Sequence, residues 1–180
     1  KGESFHENVG GYGAGIYATY SNVKITDCNI SKNTAIKDGG GVYVDIGASV
    51  TFSRVGSKKV STVAMNSAEN GGGIYINRPA DSKENINTEC LVQNIQIGGE
   101  GQSNIATGNG KGVYVNSSSN FRTFVLHDSL GGNLSMDIKI YDAVYLAPYT
   151  FTNDKGEEVR KDAVIYVYGH YVTGVTVNVA

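Results

Sequence analysis

The stretch Gly39-Gly40-Gly41-Val42-Tyr43-Val44 decides the fold, because the chain contains four versions of it. The other three are Gly13-Ala14-Gly15-Ile16-Tyr17-Ala18, Gly71-Gly72-Gly73-Ile74-Tyr75-Ile76 and Gly110-Lys111-Gly112-Val113-Tyr114-Val115. We call this Gly-x-Gly-aliphatic-Tyr-aliphatic pattern the Gly box. The last glycines of successive boxes lie 26, 32 and 39 residues apart. This spacing is typical of one structural unit that is repeated with insertions of growing length.

An asparagine precedes the last glycine of every Gly box by seven or eight residues. These asparagines are Asn8, Asn33, Asn66 and Asn104. The residue three positions earlier is aromatic or aliphatic in the first three units and Gly101 in the fourth. Short alternating runs such as Val50-Thr51-Phe52 lie between the boxes, and no window carries apolar residues at the helical period with a start signal. Each unit therefore predicts two or three short strands joined by turns, and no helix.

Units of this size without helices can stack as coils of a parallel β-helix or stand as blades of a propeller. A propeller needs four well-formed antiparallel strands per blade and an Asp- or Trp-based signature, and the chain shows neither. In a β-helix each coil places its equivalent residue about 4.8 Å above the last one. The repeated Gly, aliphatic and Asn positions then become ladders, which favours the β-helix.

The paired Asn and Gly-box motifs, over roughly residues 5–116, resemble the repeats of the polymorphic outer membrane proteins of chlamydiae. They are also similar to the wider group of bacterial right-handed β-helix surface proteins with a pectate-lyase-like fold. The resemblance implies a secreted or surface-displayed solenoid, often part of a long adhesin-like passenger. We therefore expect an all-β, right-handed parallel β-helix with coils over residues 1–140. Residues 141–180 are expected to form final coils or an antiparallel C-terminal cap of the same domain.

Composition excludes several classes of function. The 180 residues include 24 glycines, 12 tyrosines and 2 prolines, and the formal net charge is −2. A pI near 5.9 gives no basic footprint for nucleic acid or acidic lipid. No apolar run approaches the roughly 20 residues of a membrane-spanning helix. The chain lacks an initiator Met, so we expect Lys1 to begin a piece of a longer polypeptide.

Alternation within the Gly box predicts which side chains face outward. If the aliphatic residues point into the core, the tyrosines point out and form an exposed ladder. That ladder contains Tyr17, Tyr43, Tyr75 and Tyr114, and the outward row continues two residues later through Thr19, Asp45, Asn77 and Asn116. Stacked phenols beside polar groups suit sugar rings or a protein partner. The alternative interpretation is that the stack only covers the sheet or lies under a loop.

The two cysteines are predicted to be free. Cys28 follows the first Gly box and Cys90 follows the third, which places them two coils apart and beyond the reach of a disulfide. We expect two inward, reduced thiols that act as small apolar residues.

A carbohydrate-active enzyme of the pectate-lyase or polygalacturonase kind is an alternative function. Such an enzyme needs clustered Asp with a basic residue, or two to three Asp on adjacent coils. Asp27 and Asp45 fall at unlike coil positions, and the remaining candidates, Asp128, Asp137 and Asp142, lie outside the regular repeats. The basic group Arg54, Lys58 and Lys59 is interpreted as a solvated loop, and His6, His127 and His170 share no metal-ligand spacing. We assign no catalytic residue, metal or cofactor.

The leading functional hypothesis is a non-catalytic, adhesin-like bacterial module at the cell surface or outside the cell. It would bind a glycan or a host surface protein through the exposed ladder of Tyr17, Tyr43, Tyr75, Tyr114, Asp45, Asn77 and Asn116. The alternatives are the enzyme, or a fragment of one, and a structural stalk that holds another domain away from the cell.

Overall fold

A computed structural model describes residues 4–53, 60–77, 87–116, 120–124, 138–162, 164–168 and 176–179. Within these ranges the regular secondary structure consists entirely of β-strands. The described part of the chain contains no helix with the length and apolar character that a membrane crossing needs.

The strands follow one another in groups of four, and each group is one coil. The first coil comprises β1 (Ser4–His6), β2 (Val9–Gly10), β3 (Ile16–Ala18) and β4 (Asn22–Thr26), and the second comprises β5 (Asn29–Ser31), β6 (Thr34–Ala35), β7 (Val42–Val44) and β8 (Ser49–Ser53). The third comprises β9 (Ser61–Ala64), β10 (Ser67–Ala68), β11 (Ile74–Ile76) and β12 (Glu89–Val92), and the fourth comprises β13 (Ile95–Ile97), β14 (Ile105–Ala106), β15 (Val113–Val115) and β16 (Asn120–Phe124). The chain continues through β17 (Ile138–Leu146), β18 (Pro148–Thr152), β19 (Glu158–Asp162), β20 (Val164–Tyr168) and β21 (Thr176–Val179).

Each strand of the first three coils pairs in parallel with the strand four places later in the chain. In the Gly-box row, β3 pairs with β7, β7 with β11 and β11 with β15, and the register sets Tyr17 opposite Tyr43, Tyr43 opposite Tyr75 and Tyr75 opposite Tyr114. We call a set of equivalent strands in successive coils a row and name it after its first strand. The β2 row forms a sheet of four strands, and the β4 row forms a sheet of five. The predicted parallel β-helix is therefore confirmed, while its right-handed sense stays a prediction.

Strand β17 belongs to two rows at once. Its start, Ile138–Ile140, pairs with β13, and its end, Val144–Leu146, pairs with β15. The β1 row and the β3 row thereby merge into one ten-stranded sheet, and β21 pairs with β17. The expected domain boundary at 140/141 falls inside this strand and stays a prediction.

The interior is a column of branched aliphatic side chains. Val42, Val44, Ile74 and Ile76 are fully buried, as are the equivalent residues of β15. They pack in one cluster with residues from the other faces, such as Ile30, Val63, Ile97, Val50 and Val92. Burying one such side chain contributes about 1.5–3 kcal/mol. The inward assignment of the aliphatic positions is confirmed.

The C-terminal part adds the single antiparallel pair of the described chain, the hairpin of β18 and β19. Asn153 organises its turn, since its Oδ1 accepts hydrogen bonds from the backbone N–H groups of Lys155 and Glu157, both at 2.9 Å. Asn tolerates such turns because its side chain can replace a backbone acceptor. The antiparallel element expected in this part of the chain is present.

Candidate functional site

The Gly box forms a tight turn that leads into the strand carrying each tyrosine. Its first glycine has a positive φ in every copy: 54° at Gly13, 70° at Gly39, 60° at Gly71 and 66° at Gly110. The third glycine lies against the backbone of the next coil. A Cβ at Gly41 would be 2.6 Å from the carbonyl oxygen of Gly73. Glycine is needed at the first position for conformation and at the third for space.

The tyrosines of the Gly boxes form a continuous stack, which we call the Tyr stack. Ring centroids are 5.3 Å apart between Tyr17 and Tyr43, 5.1 Å between Tyr43 and Tyr75, and 4.7 Å between Tyr75 and Tyr114, with interplanar angles of 9°, 5° and 7°. Tyr145 of β17 adds a fifth, tilted ring at 5.1 Å from Tyr114. Sequence reasoning missed Tyr145 because no Gly box precedes it, although Val144-Tyr145-Leu146 repeats the aliphatic-Tyr-aliphatic pattern.

The exposure predicted for the middle of this ladder is wrong. Tyr43 and Tyr75 are 6% and 8% exposed, whereas Tyr17 at the end of the stack is 49% exposed. Neighbouring rings cover both faces of the two central tyrosines, and Tyr12 packs edge-on against Tyr43 with centroids 5.2 Å apart. Strand alternation correctly predicts that these side chains leave the core, but the next coil then covers them. A sugar ring therefore cannot stack on the face of Tyr43 or Tyr75.

The hydroxyl groups in the middle of the stack belong to almost fully buried residues. Within the described part of the chain, the Tyr43 and Tyr75 hydroxyls make no hydrogen bond, and neither is a buried oxygen without a partner. Neither oxygen is therefore completely shielded from solvent. Burial raises the pKa of Tyr43, Tyr75 and Tyr114 above the usual value, so these phenols stay neutral donors at physiological pH.

The predicted polar residues form a second ladder next to the stack, which we call the polar row. Asn116 Nδ2 donates to Asn77 Oδ1 at 2.9 Å, and Asn77 Nδ2 donates to Asp45 Oδ1 at 2.9 Å. The Tyr17 hydroxyl donates to the other oxygen of Asp45. That hydrogen bond raises the pKa of Tyr17 to about 12. The structure thus brings the seven predicted site residues into two adjoining ladders, and their role in binding stays a prediction.

A further polar pair near the stack was not predicted. Asn70 Nδ2 donates to Asp38 Oδ1 at 3.0 Å, and the backbone N–H of Asn109 donates to Asn70 Oδ1 at 3.0 Å. Burial is the largest cause of the raised pKa of Tyr75, and the charge of Asp38 is the second largest. Asp38, Asn70 and Asn109 all stand directly before a Gly box, and this common position was the signal that could have identified them.

Three of the repeated asparagines form a buried ladder inside the turn, which we call the Asn ladder: Asn33, Asn66 and Asn104. The backbone N–H and Nδ2 of Asn33 both donate to Asn66 Oδ1, at 3.0 and 2.9 Å, and those of Asn66 both donate to Asn104 Oδ1 at 3.0 Å. Asn66 Nδ2 also donates to the carbonyl oxygen of Ile30 at 3.0 Å. Every amide hydrogen of Asn66 therefore has an acceptor, as a buried polar group requires.

The Asn ladder ends on a carboxylate. Asn104 donates its backbone N–H and its Nδ2 to Asp142 Oδ2, at 2.7 and 2.8 Å. Asp142 is 5% exposed and occupies the ladder position of the fifth coil. Asp142 was weighed above as a candidate carboxylate of an enzyme, but the structure gives it a structural contact.

The fourth repeat has its apolar residue at a different distance from the asparagine. Ile97, not Gly101, is the apolar equivalent of Val63, because the two residues pair in register and Ile97 is fully buried. Residues 98–101 are an insertion between Ile97 and Asn104. An insertion at this point could not be seen from spacing alone, because the distance from Asn104 to its Gly box is normal.

The carboxylates considered for catalysis lie in separate places. Asp27 is half-buried in the corner after β4, Asp45 lies in the polar row and Asp142 ends the Asn ladder. Among the described residues, no group of three or more His, Cys, Asp or Glu side chains could hold a metal ion. His6 is exposed. The other residues considered, Arg54, Lys58, Lys59, His127, Asp128, Asp137 and His170, lie outside the described residues.

Both cysteines are free, as predicted. Cys90 is fully buried, and this burial raises the pKa of its thiol. Cys28 is only half-buried in a corner, where its Sγ lies 3.2 Å from the carbonyl oxygen of Thr26. Cys28 was expected to point into the core, but it only packs against the edge of the core cluster and stays partly exposed.

Comparison with known proteins identifies no relative. No model of a protein family matches the chain, and searches of curated proteins and of solved structures likewise yield no match. The fold is therefore established by the geometry alone, as an all-parallel stack of coils in register.

Proposed function

We propose that this chain is a non-catalytic, adhesin-like binding module of a secreted or surface-displayed bacterial protein, with a pectate-lyase-like β-helix fold. Its ligand, a glycan or a host surface protein, binds along the hydroxyl edge of the Tyr stack and the polar row. The observation that carries this proposal is the regular repetition of both ladders on adjoining positions of successive coils. The resemblance of the repeats to bacterial surface proteins supports the location.

The chemistry of this surface suits an extended, hydroxyl-rich ligand. Neutral phenols at about 5 Å spacing can donate and accept hydrogen bonds, since burial keeps their pKa high. The polar row offers one carboxylate, Asp45, and amides. Because the ring faces in the middle of the stack are covered, recognition there uses hydroxyl edges. Among the four Gly-box tyrosines, which all lie in the described part of the chain, Tyr17 is the one exposed residue, with 49% of its surface open to solvent.

A structural stalk is a second candidate, and the burial of Tyr43 and Tyr75 favours it. A stack whose central rings are covered, next to an Asn ladder with satisfied amides, stiffens the coil column whether or not a ligand binds. A carbohydrate-active enzyme is a weaker alternative, because the described carboxylates stand apart from one another and Asp142 is engaged by Asn104.

The test is binding of the purified chain to a broad glycan array, with each captured glycan then examined for cleavage. Tyr43→Phe and Tyr75→Phe keep the stacked rings and remove only the hydroxyls. Lys24→Ala, at an exposed position of β4 on another face, is the matched control.

Binding without cleavage that both Phe variants weaken and Lys24→Ala leaves unchanged supports the proposal. Cleavage would transfer support to the enzyme. Glycan binding that both Phe variants leave unchanged would contradict the assigned surface. If the chain binds no glycan on the array, sugar binding is rejected, and a protein-binding module or a stalk remains.

A further inference from the structure

Two Asn-Gly dipeptides occupy the same coil position, where the Gly boxes of the third and fourth coils begin. They are Asn70-Gly71 and Asn109-Gly110, and the second coil has Asp38-Gly39 there. An asparagine followed by glycine is chemically reactive, because a glycine without a side chain lets its main-chain nitrogen reach the side-chain carbonyl carbon of the asparagine. The two dipeptides are alike in sequence, so a difference in their reactivity comes from the fold.

Hydrogen bonds hold both groups of Asn70-Gly71 that would have to react with each other. Asn70 Nδ2 donates to Asp38 Oδ1 at 3.0 Å, and Asn70 Oδ1 accepts from the backbone N–H of Asn109 at 3.0 Å. The backbone N–H of Gly71 donates to the carbonyl oxygen of Asn109, also at 3.0 Å. The side-chain amide and the glycine nitrogen are therefore both engaged by neighbouring coils, and these contacts must break before the two groups can meet.

The corresponding groups of Asn109-Gly110 lack such contacts. Asn109 is exposed, and within the described ranges neither its side-chain amide nor the backbone N–H of Gly110 makes a hydrogen bond. The path of β17 explains the difference, because this strand connects Asp142 of the Asn ladder directly to Tyr145 of the Tyr stack. The β2 row therefore ends at β14 within the described chain. The turn at Asn109 thus has no equivalent of the coil that restrains the turn at Asn70.

We propose that Asn109-Gly110 is a site of spontaneous deamidation in the folded protein, whereas Asn70-Gly71 is protected. Hydroxide removes the proton of the Gly110 nitrogen, which attacks Cγ of Asn109. The new N–Cγ bond closes a cyclic imide, the Cγ–Nδ2 bond breaks, and the leaving nitrogen takes a proton from water and departs as ammonia. Water then opens the imide at one of its two carbonyls, which leaves aspartate or isoaspartate at position 109. This proposal does not depend on the proposed function.

The two products should affect the fourth Gly box differently. Aspartate keeps the original main chain, and Asp38 already occupies the equivalent position of the second coil. Isoaspartate instead routes the main chain through the side-chain carbon, which adds one methylene before Gly110 and turns the carbonyl of Asn109 into a free carboxylate. That carbonyl accepts the hydrogen bond from Gly71. Isoaspartate at position 109 should therefore weaken the contact between the third and fourth coils.

The test is incubation of the folded chain in mildly alkaline buffer, followed over time by peptide mapping with mass spectrometry. The change in peptide mass measures deamidation at positions 70 and 109, and methylation by a protein-isoaspartate methyltransferase measures the isoaspartate fraction. The chain unfolded in guanidinium chloride is the reference, because both dipeptides are then equally exposed. Asn109→Asp is the control without the reacting amide, and Asp38→Ala removes the acceptor of Asn70 Nδ2.

In the folded chain we expect Asn109 to deamidate at least about tenfold faster than Asn70, equivalent to ~1.4 kcal/mol of activation free energy. The two rates should converge on unfolding, and Asp38→Ala should speed the reaction at Asn70. Equal rates in the folded chain would overturn the proposal, as would an Asn109 that reacts more slowly in the folded chain than in the unfolded one by that same factor. An Asn70 rate that Asp38→Ala leaves unchanged would overturn the protective role of their hydrogen bond.

Discussion

Replacing Asn66 by alanine should be among the most damaging changes in this molecule. Asn66 is fully buried, and its side chain takes part in four hydrogen bonds: two accepted from Asn33, one donated to Ile30 and one donated to Asn104. A hydrogen bond contributes about 1 kcal/mol, and a buried group left without its partner costs more. Asn66→Ala should therefore lower the free energy of unfolding by about 4 kcal/mol. That is a large part of the ~5–15 kcal/mol of a typical domain.

Asn8→Ala is the matched control for Asn66→Ala. Asn8 occupies the same coil position but is exposed, and its side chain makes one ladder hydrogen bond, from Nδ2 to Asn33 at 2.8 Å. Water can replace that contact, so the expected loss is below about 1 kcal/mol. The assay is urea unfolding followed by tyrosine fluorescence, which suits a chain with 12 tyrosines and no tryptophan. Equal losses in the two variants, or a loss below about 1.5 kcal/mol for Asn66→Ala, would refute the reasoning.

Three further predictions follow from the geometry of the coils. Gly41→Ala should destabilise the fold by about 1–3 kcal/mol in urea unfolding, since its Cβ would meet a carbonyl of the next coil, while Gly11→Ala has open space and should stay within ~0.5 kcal/mol. Because the folded-state pKa of Tyr17 is about 12 against an ordinary 10.0, its contribution is complete below pH 10 and is lost as the pH rises through 12. Tyr17→Phe should remove that part of the alkaline loss of stability in urea midpoints measured against pH, and an unchanged profile would contradict it. A thiol reagent should modify Cys28 in the folded protein but Cys90 only on unfolding, since burial shields Cys90 and raises its pKa; equal rates would contradict this.

The architecture was predictable because the residues that determine it recur in phase. The Gly boxes and the asparagines of the first units repeat at fixed offsets, and each repeated residue sits directly over its equivalent in the structure. Such positions are decided by local backbone conformation and by contact with an identical neighbour. The backbone conformation and the identical neighbour both follow from the repeated sequence.

The rest depended on contacts that the repeat does not encode. Alternation places Tyr43 outside the core, but its exposure is set by the rings above and below it and by Tyr12 from a different segment. Asp142 and Tyr145 join their ladders without a Gly box, because β17 reaches the same positions as one continuous strand. A substitution of Asn by Asp at the ladder end has no counterpart in the earlier repeats, so pattern matching could not identify it.

The most direct test of the account is a nuclear Overhauser experiment on the side-chain amides of the Asn ladder in the folded protein. Direct hydrogen bonds join Asn33 to Asn66 and Asn66 to Asn104, although these residues are 33 and 38 positions apart in the chain. The account predicts cross-peaks that connect the three amides in that order, together with protection of Asn66 Nδ2 from exchange. Absence of both connections, with rapid exchange of these amides, would contradict the stacked coils and every proposal built on them.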